Sequence, residues 1–121
     1  MSCTSRFELF LLGEGEKKVS WKWDTRVQDT AIFTFNKEDH TLGNLLSKRL
    51  HKYPEVIYSA YKLAHPLIAQ FELRVTTDGS FSPKQVVVKC CHDLVQDLDR
   101  FSREFTKEWE LKKIANNAER K

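Results

Sequence analysis

After Pro83, neither glycine nor proline occurs to the last residue of this 121-residue chain, the longest stretch in it without a helix breaker. Val87, Cys91, Leu94, Leu98, Phe101 and Phe105 step by 4, 3, 4, 3 and 4, the spacing of an apolar seam along one side of a helix. Trp109 follows Phe105 by four, so the register slips by one there, as at a coiled-coil stutter. Ser82-Pro83 reads as an N-cap with proline at the first helical position. The spacing predicts a helix over 83–116, about 50 Å long at 1.5 Å per residue. A compact domain of this size has a radius of gyration of roughly 14 Å, hence a diameter of about 35 Å. The helix is therefore expected to project past its own domain. Val87 to about Leu94 can cover a sheet, but beyond Leu98 the domain runs out of surface. Phe101, Phe105 and Trp109 each bury on the order of 150–250 Å² when covered, and three bare rings make a patch typical of an interaction site. A partner chain is the expectation, and the isolated chain is expected to be poorly soluble or self-associated. Periodicity does not separate self-pairing from pairing with a different protein.

The remainder supplies a sheet and one more helix. Arg6 to Leu12 is nearly all apolar and closed by Gly13-Glu14-Gly15, as a buried strand and turn would be. No GxxxxGK[ST] pattern follows, so a turn is preferred to a phosphate loop. Val19, Trp21 and Trp23 alternate with Ser20 and Lys22 as in a half-exposed strand. Asp24 to Asp29 is a polar loop, and Ala31 to Phe35 is a second well-supported strand. A helix is predicted from Thr41 to Lys52, with Leu42, Leu45, Leu46 and Leu50 on one face and Tyr53-Pro54 ending it. Gly43 in its first turn costs about 1 kcal/mol relative to alanine, and close approach of another backbone is the simplest reason for it. Val56 to Leu63 and Ile68 to Thr76 read as strands separated by His65-Pro66, with a turn at Asp78-Gly79. The order ββαββα predicts a single α+β domain over 1–121. It would be a two-layer sandwich with a mostly antiparallel four-stranded sheet and its helices on one face.

Composition narrows the function classes. Lys and Arg number 20 against 17 Asp and Glu, a net charge of +3, too small and dispersed to announce nucleic-acid binding. The clusters Lys48-Arg49 with Lys52, and Lys112-Lys113, are simplest as solvated helix faces. Cys3, Cys90 and Cys91 make an odd count without disulfide spacing, and a vicinal Cys90–Cys91 bridge would be strained. No CxxC pair exists, so no structural zinc is expected even with His92 adjacent. No run approaches the roughly 20 apolar residues of a membrane span, and the N-terminus lacks a signal-peptide layout. A soluble chain with reduced thiols, no cofactor and no metal is expected.

Glu38-Asp39-His40-Thr41-Leu42-Gly43-Asn44 offers an acid, an imidazole and a hydroxyl in a row. Consecutive side chains on a helix do not face each other, so they cannot readily converge on one substrate atom. The stretch reads instead as a helix start: Asp39 or Thr41 caps, and Glu38 and Asp39 sit where the helix dipole favours anions. An enzyme using His40, His65 or Cys91 lacks a recognisable nucleophile–base motif, so no catalytic residue is assigned. A nucleic-acid-binding module would rest only on the mild basic excess and on aromatics. Those aromatics lie at helical spacing, unlike the usual single-strand stacking platform.

The heptapeptide after a Phe-rich strand resembles the signature of the small alpha-like, dimerisation-type subunits of archaeal and eukaryotic RNA polymerases. Val56, Ser59-Ala60-Tyr61 and His65-Pro66 agree in spacing, and the head Arg6 to Glu16 is similar to the RNA polymerase II members. The likeness runs from about Arg6 to about Trp109; Trp21 and Trp23 match no motif of the family. It implies the fold of the bacterial polymerase alpha dimerisation domain and a non-catalytic, nuclear role in mRNA transcription. The implied partners are the larger alpha-like (third) subunit, as a heterodimer that seeds assembly, and the second-largest subunit. No membrane and no direct sequence-specific nucleic-acid contact is implied. An equivalent subunit of another nuclear polymerase is the alternative. On this likeness the dimer surface would comprise Leu42, Gly43, Leu45, Leu46 and Leu50 with Leu94, Leu98, Phe101, Phe105 and Trp109.

Overall fold

A computed structural model describes residues 11–119. Its elements are β1 (Val19–Trp23), β2 (Thr30–Asn36), α1 (His40–Leu50), β3 (Val56–Lys62), β4 (Gln70–Thr77) and α2 (Pro83–Glu119). The chain divides into two compact units, residues 1–90 and 91–121. Of the strand expected over Arg6 to Leu12, the first five residues lie outside the described residues; Leu11 and Leu12 are exposed and not in a strand. Gly13 to Glu16 does form a turn: the Gly13 amide donates to Glu16 Oε2 at 2.8 Å, and Gly15 takes φ +76°.

The first unit is a four-stranded sheet in the order β1-β2-β4-β3, antiparallel at every pairing. Alternation decides its faces. Ala31, Phe33 and Phe35 of β2 and Phe71, Leu73 and Val75 of β4 are buried on one face. Ser59 and Tyr61 of β3 share that face, because they pair with Val75 and Leu73. Helix α1 lies over β3 and β4. The first turns of α2 stand over the same face, with the Lys84 ammonium 5.8 Å from the Trp21 ring centroid. Val86, Val87 and Cys90 complete the core of this unit. At the outer edge β3 carries a bulge: Val56 pairs with Thr77 and Tyr58 with Thr76, leaving Ile57 out of register.

Both helix starts follow local chemistry. Asp39 caps α1 through Oδ1, which accepts from the Thr41 amide at 2.9 Å. Ser82 and Gln85 form a reciprocal capping box at α2, the Gln85 amide donating to Ser82 Oγ at 3.2 Å and the Ser82 amide to Gln85 Oε1 at 3.1 Å. In the loop after β1, Asp24 accepts from the Arg26 amide at 2.8 Å and pairs with Arg74 on β4. These two contacts hold its carboxyl below the usual carboxylate range, the amide being the larger cause.

The second unit is the continuation of α2, and every residue from Val95 to Glu119 is exposed. The full helix has 37 residues, about 55 Å at 1.5 Å each. It runs three residues beyond the expected Asn116 because nothing in the sequence stops it there.

Candidate partner-binding surface

The heptapeptide is built around an aromatic residue that it does not contain. A Cβ added to Gly43 would stand 2.6 Å from Cδ2 of Tyr61, so the ring of β3 lies flat against the first turn of α1. This corrects the expectation of a neighbouring backbone: a close approach exists, but it is made by a side chain of the same unit. His40 Nδ1 and the Tyr61 hydroxyl lie 3.0 Å apart, and the two rings meet edge-on at 5.7 Å. Tyr61 in turn meets Phe71 edge-on, and Phe71 stacks on Phe35 at 4.8 Å. One turn further along α1, Ser59 Oγ donates to the Ser47 carbonyl at 2.8 Å and Ser47 Oγ to the Ser59 carbonyl at 3.4 Å, both buried. These contacts fix α1 on β3 at two points.

The acid, imidazole and hydroxyl of the motif are thus placed in structural bonds. Asp39 caps, and the Thr41 amide is the first cause holding its carboxyl below the usual range. Glu38 pairs with Lys18 at 2.8 Å. His65 Nδ1 accepts from the Leu67 amide at 3.1 Å, closing the turn at Pro66. Asp39 and His40 do line an open hollow with Leu63, Pro66, Ile68 and Ala69, but the neighbouring side chains there are apolar. Among the described residues no group of three or more His, Cys, Asp or Glu could hold a metal ion.

The residues expected at a dimer surface divide sharply. Leu46 and Leu50 are buried in the first unit, Gly43 is buried under Tyr61, Leu42 is half-buried, and Leu45 alone of the α1 set is 40 % exposed. In the second unit Leu94 is buried, whereas Leu98, Phe101, Phe105 and Trp109 are 54–69 % exposed. Three of these form a ladder: Phe101 on Phe105 at 6.5 Å and Phe105 on Trp109 at 6.1 Å, with Lys113 5.7 Å over the last ring. Stacking at i, i+4 keeps three exposed apolar rings in one continuous strip along the helix. Such a strip favours burial against another chain and offers no acid, base or nucleophile.

Two features escaped the sequence reading. Tyr61 was visible only as part of a matching block, since its neighbour Gly43 is 18 positions away. Leu111 and Ile114 are also exposed, 52 % and 65 %, off the main seam near the helix end. The alternation of hydrophobics could not have found them, because they do not continue the seam's period.

A profile of the RNA polymerase Rpb3/Rpb11 dimerisation domain matches residues 30–104. The chain is 40 % identical over 115 residues to DNA-directed RNA polymerase II subunit RPB11 of Schizosaccharomyces pombe, covering 95 % of this chain and 93 % of that one. It is 45 % identical over 98 residues to the probable RPB11 subunit of Caenorhabditis briggsae, covering 81 % and 80 %. A crystal structure of DNA-directed RNA polymerase subunit L from Thermoplasma acidophilum superposes with a TM-score of 0.61 at 19 % identity, over 78 % of this chain and 92 % of that one. That likeness supports the fold alone, an alpha-like dimerisation architecture. With the domain profile spanning more than half its length and close relatives along most of it, the chain belongs to the RNA polymerase Rpb3/Rpb11 dimerisation-domain family.

Proposed function

We propose that this chain is a non-catalytic core subunit of nuclear RNA polymerase II that pairs with the larger, alpha-like third subunit. The pair seeds assembly of the polymerase and meets the second-largest subunit. The observation that carries this reading is the aromatic ladder from Phe101 to Trp109, exposed along a helix face that only another chain would cover. The names carried by its relatives support the choice of RNA polymerase II and, with it, a place in the nucleus. Leu98, Phe101, Phe105 and Trp109 form the main contact, and Leu45 with Leu42 adds a second one from α1. Leu46 and Leu50 act from behind, by holding α1 in place.

Tandem purification tests this directly. Leu98→Asp with Phe105→Asp places two carboxylates in the strip and is expected to abolish copurification with the third subunit. Both positions are exposed, so the sheet should keep its circular-dichroism signal. Normal recovery of the third subunit with the doubly charged variant would sink the assignment of the seam.

A further inference from the structure

Where α1 ends, β3 begins and α2 starts, the first unit opens a hollow that the seam does not use. Tyr53, Glu55, Phe81, Gln85, Val86 and Lys89 line it, around a volume of about 220 Å³. All six fall within residues 1–90, so the hollow belongs to one compact unit. Its walls are held in place. The Tyr53 amide donates to the Leu50 carbonyl at 3.2 Å, and the Asp78 amide donates to the Glu55 carbonyl at 3.0 Å. Phe81 is 49 % exposed, yet the loop that carries it is pinned on both sides. Before it, the Ser80 amide donates to Asp78 Oδ1 at 3.0 Å; after it, Ser82 caps α2. Rings fixed in this way receive a side chain without the ordering cost of a loose loop. The volume decides the size of the guest. Small-molecule pockets span about 300–1,000 Å³, so this hollow suits a single side chain rather than a metabolite.

Its surroundings are basic. The Lys89 ammonium stands 5.1 Å from the centroid of the Tyr53 ring, and the Arg49 guanidinium 5.9 Å from the same ring. Residues 48–52, just before Tyr53, carry three Lys or Arg side chains and no carboxylate. Among the described residues, Lys48, Lys52 and Lys89 form no ion pair, so their charge is not neutralised within the chain. Asp78 is tied to Ser80, and Asp93, one turn beyond Lys89, is engaged in contacts of its own. Glu55 is the one acid among the described lining residues. A slot between two aromatic rings with unpaired cations around it is complementary to an aromatic side chain with carboxylates beside it.

We propose that this hollow docks a short acidic segment of a partner protein. An aromatic side chain of that segment fills the space between Tyr53 and Phe81, and flanking carboxylates meet Lys89 and the lysines at the end of α1. None of these residues belongs to the Leu98–Trp109 strip, so the proposal stands or falls apart from the reading of the seam. A single-stranded nucleic acid fits less well, because Lys89 already lies over the Tyr53 ring and leaves no open stacking platform.

Fluorescence anisotropy of a labelled Asp-Glu-Phe-Glu-Asp peptide, titrated with the full chain, tests the proposal. Saturable binding is expected, weakening as salt is raised to about 0.5 M. Phe81→Ser, checked by circular dichroism, should weaken it about tenfold, and so should a probe with glycine in place of its phenylalanine. Lys89→Glu, at an exposed helix position, tests the charge without opening the hollow and should also cost about tenfold, whereas Lys89→Arg should stay within about twofold. Leu98→Asp with Phe105→Asp should leave the affinity unchanged. No saturable binding up to about 100 μM, the range of weak peptide contacts, overturns the proposal. So does equal binding by the parent, Phe81→Ser and Lys89→Glu, or equal binding of a probe with lysines in place of its acids. Loss of binding in the Leu98→Asp, Phe105→Asp variant alone would move the peptide to the seam and overturn the proposal while leaving the seam intact. Probe binding that vanishes when the third subunit is added would place the hollow inside that pair, again overturning it. Submicromolar binding of an oligouridylate that Phe81→Ser and Lys89→Glu both lose would replace the acidic segment with a nucleic acid.

Discussion

Helix α1 and the distal part of α2 both carry an apolar stripe at helical spacing, and they use it in opposite ways. In α1 the stripe is covered: Leu46 and Leu50 are buried, Ser47 is bonded to Ser59, and Tyr61 closes over Gly43. In α2 the stripe is bare from Leu98 onward, although its residues are larger and more aromatic. The two stripes have the same period, so period says only that a face is apolar. Period does not say what, if anything, covers that face. The short helix has β3 and β4 beneath it; the distal helix forms a unit of its own.

The contrast is sharpest in stability. Leu46→Ala opens a cavity in the first unit and should cost about 2–5 kcal/mol. Phe105→Ala, measured at dilution where chains are apart, should stay within about 0.5 kcal/mol of the parent. Urea titrations of the two variants measure both, and equal losses would show that the distal stripe is packed within its own chain. A smaller effect is expected at the helix start. Gly43→Ala drives a methyl group into the Tyr61 ring and should cost about 1–3 kcal/mol. In a Tyr61→Leu background most of that penalty should vanish, and a full penalty there would remove Tyr61 as the reason for the glycine.

Among the substitutions within the first unit, the smallest effect belongs to the cap. Asp39→Ala should cost about 1 kcal/mol at neutral pH. Because the folded state holds the Asp39 carboxyl below its ordinary range, the ionised group contributes stability above roughly pH 4. That contribution is lost as pH falls through the lowered value. Parent and variant stabilities should therefore converge in acid, and a gap that stays constant down to pH 2 would mean that the cap does not act through its charge.

Local chemistry was the legible part of the sequence. Asp39, Ser82, Pro83 and the Asp78-Gly79 turn signal their roles within four residues of where they act, and the structure places each as expected. The alternation of Phe71, Leu73 and Val75 likewise fixed the inner face of β4. The partner of Gly43 was not legible, because Tyr61 reaches it only through the packing of a helix on a strand. Nor could spacing tell Leu45 from Leu46: one is exposed and the other buried, and the difference is set by which side of α1 rests on β3 and β4. Trp21 and Trp23 read as half-exposed, but their face was fixed only by the pairing with Phe33 and Ala31.

The bulge at Ile57 has a consequence for a protein that waits for its mate. A chain that keeps a strip of aromatic rings in water already risks clumping, and an even, flat strand at the rim of its sheet would add a template for ribbon growth. One surplus residue in β3 breaks the regular ladder that an incoming strand would need, and Lys62 places a charge near the other end of the same rim. Stickiness is thereby steered away from this rim towards faces where shape and charge can select among partners. The β3 edge, where almost any extended chain could dock, is kept uninviting.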